Sequence, residues 1–326
     1  MLFSLFGAVE SGIIYAIMAL GVYLTFRILD FPDLTVDGSF VTGAGVAAIS
    51  ISHGVSPLIA TLFAVIAGFI AGSITGLLHT KGKVNALLSG ILMMIALYSI
   101  NLRIMGQPTV PIDSDSTLFS QLRGLWPAGI DDFFNGIFTT LGAERAPATW
   151  VILFFMLIVT LIIKFLTDYF LKTEVGLALR ATGDNKRMIR SLSANTDSLI
   201  ILGVGLSNAL VALSGALIAQ INGFADVQMG IGMIVIGLAS VIIGEALFGK
   251  KTIAIATIAV IGGAIVYRIV VTLALRVDFL EAGDMKLITA FIVVIALVAP
   301  KIVQARKEKK RRIAKRATLG GLGKGA

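Results

Sequence analysis

From Gly38 to Thr80 the chain carries no Asp, Glu, Lys or Arg. A run of that length, filled with Ala, Ile, Val and Gly, is far too apolar for a water-exposed segment. If hydrocarbon surrounds it, every backbone N–H and C=O must be paired internally, which a helix does by itself. His53-Gly54-Val55-Ser56-Pro57 interrupts the run and predicts a hairpin of two helices in place of one overlong one.

The same character recurs along the sequence. With 57% hydrophobic and 14% charged residues, the chain cannot bury its apolar surface in a single soluble core. Its charge-poor stretches predict about nine spans, at 4–26, 36–53, 57–79, 83–104, 149–171, 198–220, 228–248, 252–274 and 286–304. The expected fold is therefore all-α, a polytopic membrane helical bundle. The first span holds Glu10 and has no basic segment before it, so it is read as a mature helix and not a cleaved leader. No internal repeat is visible.

The net charge of +8 does not point to nucleic acid, because the surplus lies in short loops and the tail. Counted on alternate sides of nine spans, 21 of the 27 Lys and Arg fall on one side, including Arg27, Lys81, Lys83, Lys164, Lys172, Lys250, Lys251 and everything basic from Lys301 onward. That side is expected to be cytosolic, which places the N-terminus outside and the C-terminus inside. The expected organisation is a transmembrane domain over 1–304 and a basic cytosolic tail over 305–326, whose run from Arg306 to Arg316 reads as a topology anchor or a contact for membrane lipid.

Two segments stand apart. The external loop 105–148 holds four of the seven prolines. Phe133, Phe134, Ile137, Phe138 and Leu141 fall there at helical spacing behind Asp131-Asp132, predicting a short amphipathic helix on the outer membrane surface. This loop either caps the bundle or docks a partner. The second segment, 173–197, is polar and basic and joins two spans on the cytosolic side.

Catalytic and metal chemistry find no foothold. Without cysteine there is no thiol catalysis and no Cys-ligated metal, and His53 and His79 are isolated. Gly244-Glu245-Ala246-Leu247-Phe248-Gly249-Lys250-Lys251 approaches a phosphate-binding loop, but Lys251 occupies the hydroxyl position and a span precedes it in place of a soluble-domain strand. Gly68, Gly72 and Gly76 line one helix face and read as close packing inside the subunit. Polar groups within spans are the better leads: Glu10 and Tyr15 in the first, Asn101 in the fourth, and Asn208, Ser214, Gln220 and Asn222 in or just beyond the sixth. No chain of buried carboxylates is apparent, which weakens a proton-driven carrier.

Three stretches resemble the permease subunits of ABC importers of the branched-chain amino-acid/ribose type. They are Phe31-Pro32-Asp33-Leu34-Thr35-Val36-Asp37-Gly38-Ser39-Phe40; the central loop with Gly176, Ala178-Leu179-Arg180-Ala181 and Asn185; and Gly237-Leu238-Ala239-Ser240-Val241-Ile242-Ile243-Gly244-Glu245. Two departures stand out: Ser193 where the family commonly has glycine, and Glu245 in place of the second residue of a glycine pair. The resemblance implies a chain that hydrolyses nothing itself and works as two copies with a cytosolic ABC ATPase, which carries the ATP and Mg, and an extracytoplasmic substrate-binding protein. The cargo is an amino acid or a similar small polar solute, with a tryptophan/tyrosine subgroup as one option. In this reading Gly176, Arg180, Asp184, Asn185, Arg187 and Arg190 couple to the ATPase, and Tyr15, Asn208, Gln220 and Asn222 line the translocation pathway. An ion- or proton-coupled secondary transporter is the alternative.

Overall fold

The computed structural model describes residues 2–140, 146–192 and 194–275, with Leu287, Ala290, Phe291, Val294 and Val298 beyond them in helix. The rest of span 286–304, the tail and Ser193 lie outside the described residues. In chain order the elements are α1 (Leu2–Tyr23), continued by a π-helical turn Leu24–Ile28, α2 (Thr35–Ser52), α3 (Pro57–Thr80), α4 (Ala86–Met105) and β1 (Thr109–Pro111). A 3₁₀ turn at Ser114–Ser116 follows, then α5 (Leu118–Leu125), α6 (Ala128–Thr140), α7 (Val151–Lys172), α8 (Glu174–Ser191), α9 (Thr196–Asn222), β2 (Phe224–Asp226), α10 (Met233–Phe248) and α11 (Ile253–Ala274).

Among the described residues, eight of the nine expected spans coincide with helices, and six helices are long and apolar enough to cross a bilayer: Leu2–Ile28, α3, α4, α7, α9 and α11. Thr, Ser, Gly and Asp37 dilute α2. At 16 residues α10 reaches only about 24 Å, short of a typical hydrocarbon core. It starts at Met233 and not near 228 because the chain first turns through Gly232 at φ 87°, where the Asp37 carboxylate accepts from Gly232 N at 2.9 Å and Ile234 N at 2.8 Å. The fold is helical apart from one antiparallel ribbon among the described residues, in which β1 pairs with β2, Val110 opposite Ala225.

α9 and α1 form the middle of the bundle. On one side α9 packs against α2 and α3, with α4 beyond; on the other α1 packs against α7, α10 and α11. The α3 glycines set the closest approach. A Cβ on Gly68 would lie 2.5 Å from Asn208 O, on Gly72 2.4 Å from Val204 O, and on Gly76 2.7 Å from Ile201 Cα. That face is thus filled within the subunit, as its spacing implied. Hydroxyls join α1 to its neighbours: Ser207 Oγ donates to Gly21 O at 2.6 Å, Ser214 Oγ to Ile14 O at 2.9 Å and Thr160 Oγ1 to Ile13 O at 3.2 Å.

The two polar segments sit at opposite ends of this bundle. The start of α1, the start of α7 and the end of α9 meet α5 and α6: Phe6 and Phe138 pack on Trp150, and Gln220 Oε1 accepts from Leu118 N at 3.0 Å. Asp131 Oδ1 accepts from Trp126 Nε1 and from Trp150 N, so its carboxylate ties α6 to the start of α7. With Phe134 against Trp150 and Phe154, α6 folds onto this end of the bundle. The opposite end carries α8.

Candidate functional site

Segment 173–197 folds largely as α8, which breaks at Asn185 (φ −153°, ψ 88°). Asn185 Oδ1 accepts from Met188 N at 3.1 Å and so caps the second half, while Thr173 Oγ1 caps the first by accepting from Gly176 N at 3.2 Å. The inner face, with Gly176, Leu179, Thr182 and Ile189, is buried. Two glycines let the helix backbone touch the bundle: a Cβ on Gly176 would lie 2.1 Å from Phe170 O of α7, and one on Gly183 2.0 Å from Ile28 O at the end of the π turn. Leu179 clusters with Leu29, Phe31, Ile200 and Val204. α8 is therefore seated on α1, α7 and α9 together.

Its outer face is open and mixes charge with apolar surface. Asp184, Asn185, Arg187 and Arg190 are exposed, and so are Val175, Leu177, Met188 and Leu192. Arg190 also ties α8 to α9, donating from Nε to Thr196 Oγ1 and from Nη2 to Asp197 Oδ1, both at 3.0 Å. Burial, and then the charge of Arg190, lower the Lys186 ammonium below the usual lysine range. Of the six residues read as coupling groups, Gly176 is a packing contact, Arg180 lines a cavity, and the other four face outward.

The four residues read as a pathway do not share one open face. Asn208 is fully buried: Nδ2 donates to Asp33 Oδ2 at 2.6 Å and to Val204 O at 2.9 Å. Asp33 also accepts from Thr35 N at the start of α2. Gln220 Nε2 donates to Thr61 Oγ1 at 2.9 Å, which joins α9 to α3. Tyr15 stacks on Phe40, with the Arg268 guanidinium 4.6 Å from its ring centroid. Only Asn222, at the end of α9, is exposed.

A model of the branched-chain amino acid transport system permease component matches residues 4–298. The chain belongs to this permease family. It is 45% identical over 289 residues to the tyrosine transport system permease protein of Clostridioides difficile, covering 89% of this chain and 88% of that one. It is 36% identical to an uncharacterised protein of Rickettsia prowazekii over 74% of this chain and 76% of that one. The autoinducer 2 import system permease protein LsrC of Photorhabdus laumondii is 25% identical over 69% of this chain and 60% of its own length. No solved structure matches the chain. The protein is an ABC importer permease and a multi-pass protein of the cell membrane.

Among the described residues, cavities of the permease include two that lie beside these groups. One, of about 450 Å³, lies between α2, α4 and the turn before α10, lined by Asp37, Val41, Met94, Tyr98, Asn101 and Ile231 among others. The other, of about 310 Å³, lies at the α8 end between α1, α8, α10 and α11. Three polar links of the permease escaped the sequence reading. Lys164 Nζ sits 2.6 Å from Asp168 Oδ2 inside α7, and Thr257 Oγ1 of α11 donates to Asp168 Oδ1 at 2.7 Å. Both side chains are nearly buried, at 4% and 8% exposure. Arg27 pairs with Glu245, joining the π turn to α10, and Asp37 caps α10 as described above. An i,i+4 Lys–Asp pair in an otherwise apolar span was the one legible signal of the three. The Gly244–Lys251 look-alike is helical from Gly244 to Phe248, inside the last turns of α10, and no strand leads into it, so it is no nucleotide loop.

Proposed function

We propose that this permease carries an aromatic amino acid, tyrosine or a close relative, inward from an extracytoplasmic binding protein, driven by ATP hydrolysis on a cytosolic ABC ATPase that holds ATP and Mg. The cargo class is taken from the 45% identical tyrosine permease. Two copies of the chain form the translocation unit, each with nine spans, the N-terminus outside and α8 in the cytosol. The observation that carries the reading is α8: a helix whose inner face is locked to three bundle helices and whose outer face presents Leu177, Arg187, Met188 and Leu192 to a soluble partner. Force applied to such an element moves the bundle as a body.

The cargo path is proposed to open on the 450 Å³ cavity, whose Met94, Tyr98 and Ile231 suit an aromatic ring and whose size fits a small-molecule site. Asn222 remains the solute-accessible member of the original four, at the mouth; Tyr15, Asn208 and Gln220 hold the helices behind it. The test is ATP-driven tyrosine uptake into vesicles holding the full chain with its ATPase and binding protein. Leu177→Glu with Met188→Glu is expected to abolish ATPase co-purification while the permease stays folded. Retained co-purification and uptake in that variant would overturn the coupling role.

A further inference from the structure

The cavity at the α8 end is walled by Arg27, Arg180, Lys250 and Lys251, with Glu245 as the only carboxylate among its lining residues. Glu245 is already engaged by Arg27. Arg180, Lys250 and Lys251 form no ion pair among the described residues. Three cations thus converge, uncompensated, on about 310 Å³ of space that also offers the Tyr23 phenol and the Thr252 hydroxyl at the start of α11. Like charges gathered at one opening repel one another and hold a potential that an anion relieves. The neighbouring surface is apolar, for Leu247 and Phe248 at the end of α10 and Ile255 and Ile258 on α11 are exposed.

We propose that this cavity binds a phosphate-bearing anion, the headgroup of an anionic lipid or free phosphate, through Arg180, Lys250 and Lys251. A phosphodiester offers acceptor oxygens to the three cations that line the cavity, and in the lipid case the acyl chains lie along the exposed face of α10 and α11. The ligand joins α8, through Arg180, to the loop between α10 and α11. The site does not rest on the ATPase-coupling reading, since Lys250 and Lys251 lie outside α8.

The test uses the full chain purified in a neutral detergent, with the thermal unfolding midpoint followed during titration. Short-chain phosphatidylglycerol, phosphatidylcholine of the same chain length, and sodium phosphate against chloride at equal ionic strength are the probes. Phosphatidylglycerol is expected to raise the midpoint and phosphatidylcholine to leave it unchanged. Lys250→Gln with Lys251→Gln is expected to weaken the effect about thirtyfold, from the loss of two interfacial cations. Lys309→Gln with Lys310→Gln in the tail leaves it intact. A shift produced by phosphate alone and lost in the Lys250/Lys251 variant identifies free phosphate as the source. Should the double variant not fold, Lys251→Gln alone reads the loss and Lys250→Arg with Lys251→Arg retains binding. A shift that is absent for both anions, insensitive to Lys250 and Lys251, or abolished by the tail variant overturns the proposal.

Discussion

Lys164 and Asp168 have side chains only 4% and 8% exposed, so each charge depends on the other. Lys164→Met alone leaves a buried carboxylate uncompensated and is expected to cost about 3–5 kcal/mol, whereas Lys164→Met with Asp168→Leu recovers most of it. Denaturant unfolding of the two variants checks this. Thr257 is not orphaned in the double variant, because its hydroxyl also donates to Ile253 O at 3.1 Å. Asn208→Leu acts by similar logic. It strips the amide from Asp33 Oδ2 and is expected to lower stability by about 1–3 kcal/mol, with a non-additive double variant when combined with Asp33→Ala. Additive losses in a thermal-melt cycle would show that the 2.6 Å contact contributes nothing. The amide itself was legible in the sequence as a polar group in a span. Its partner was not, because Asp33 lies 175 residues away and nothing local marks which helix will face Asn208.

Among the elements, α8 depends on backbone contact at Gly183, where any side chain would strike Ile28 O. Gly183→Val is expected to lift the helix from the π turn, leaving permease yield near normal but cutting ATP-driven uptake by an order of magnitude or more. Uptake into vesicles at matched protein levels measures it, and normal transport would show that α8 works without its seat. The polar, basic character of 173–197 was readable from the sequence. The packing role of Gly176 and the late start of α10 were not, since both are set by tertiary partners: Phe170 O in the first case and the Asp37 carboxylate in the second. Likewise, the amphipathic spacing behind Asp131 announced α6, but only the aromatic cluster of Phe6, Trp150 and Phe154 decides that it folds onto the bundle.

For the whole molecule, the helix directions put α6 and α8 at opposite ends, and the proposal that α8 faces the cytosol rests on the bias of Lys and Arg toward its end. A reporter fused after Gly129 is expected outside, and one after Thr182 in the cytosol. Equal accessibility of both to an impermeant reagent would contradict the bundle's direction as well as its charge. Membrane class and the six long apolar helices among the described residues could be read from hydropathy, because hydrocarbon imposes its demands on every stretch of chain alike. The cavities could not, being made by residues such as Arg27, Arg180 and Lys250 that meet only after folding. One detail at that meeting point reaches further. The turn at Leu24–Ile28 takes up one residue more than an α-helix would, with Leu29 N donating to Leu24 O. Each residue of an α-helix advances the chain by about 100°. Without the surplus residue, everything after Tyr23 would be rotated by that angle about the α1 axis. Arg27 would then face away from Glu245, and Ile28 O would no longer lie beneath Gly183, so a single added residue at the foot of α1 sets the alignment of two separate contacts.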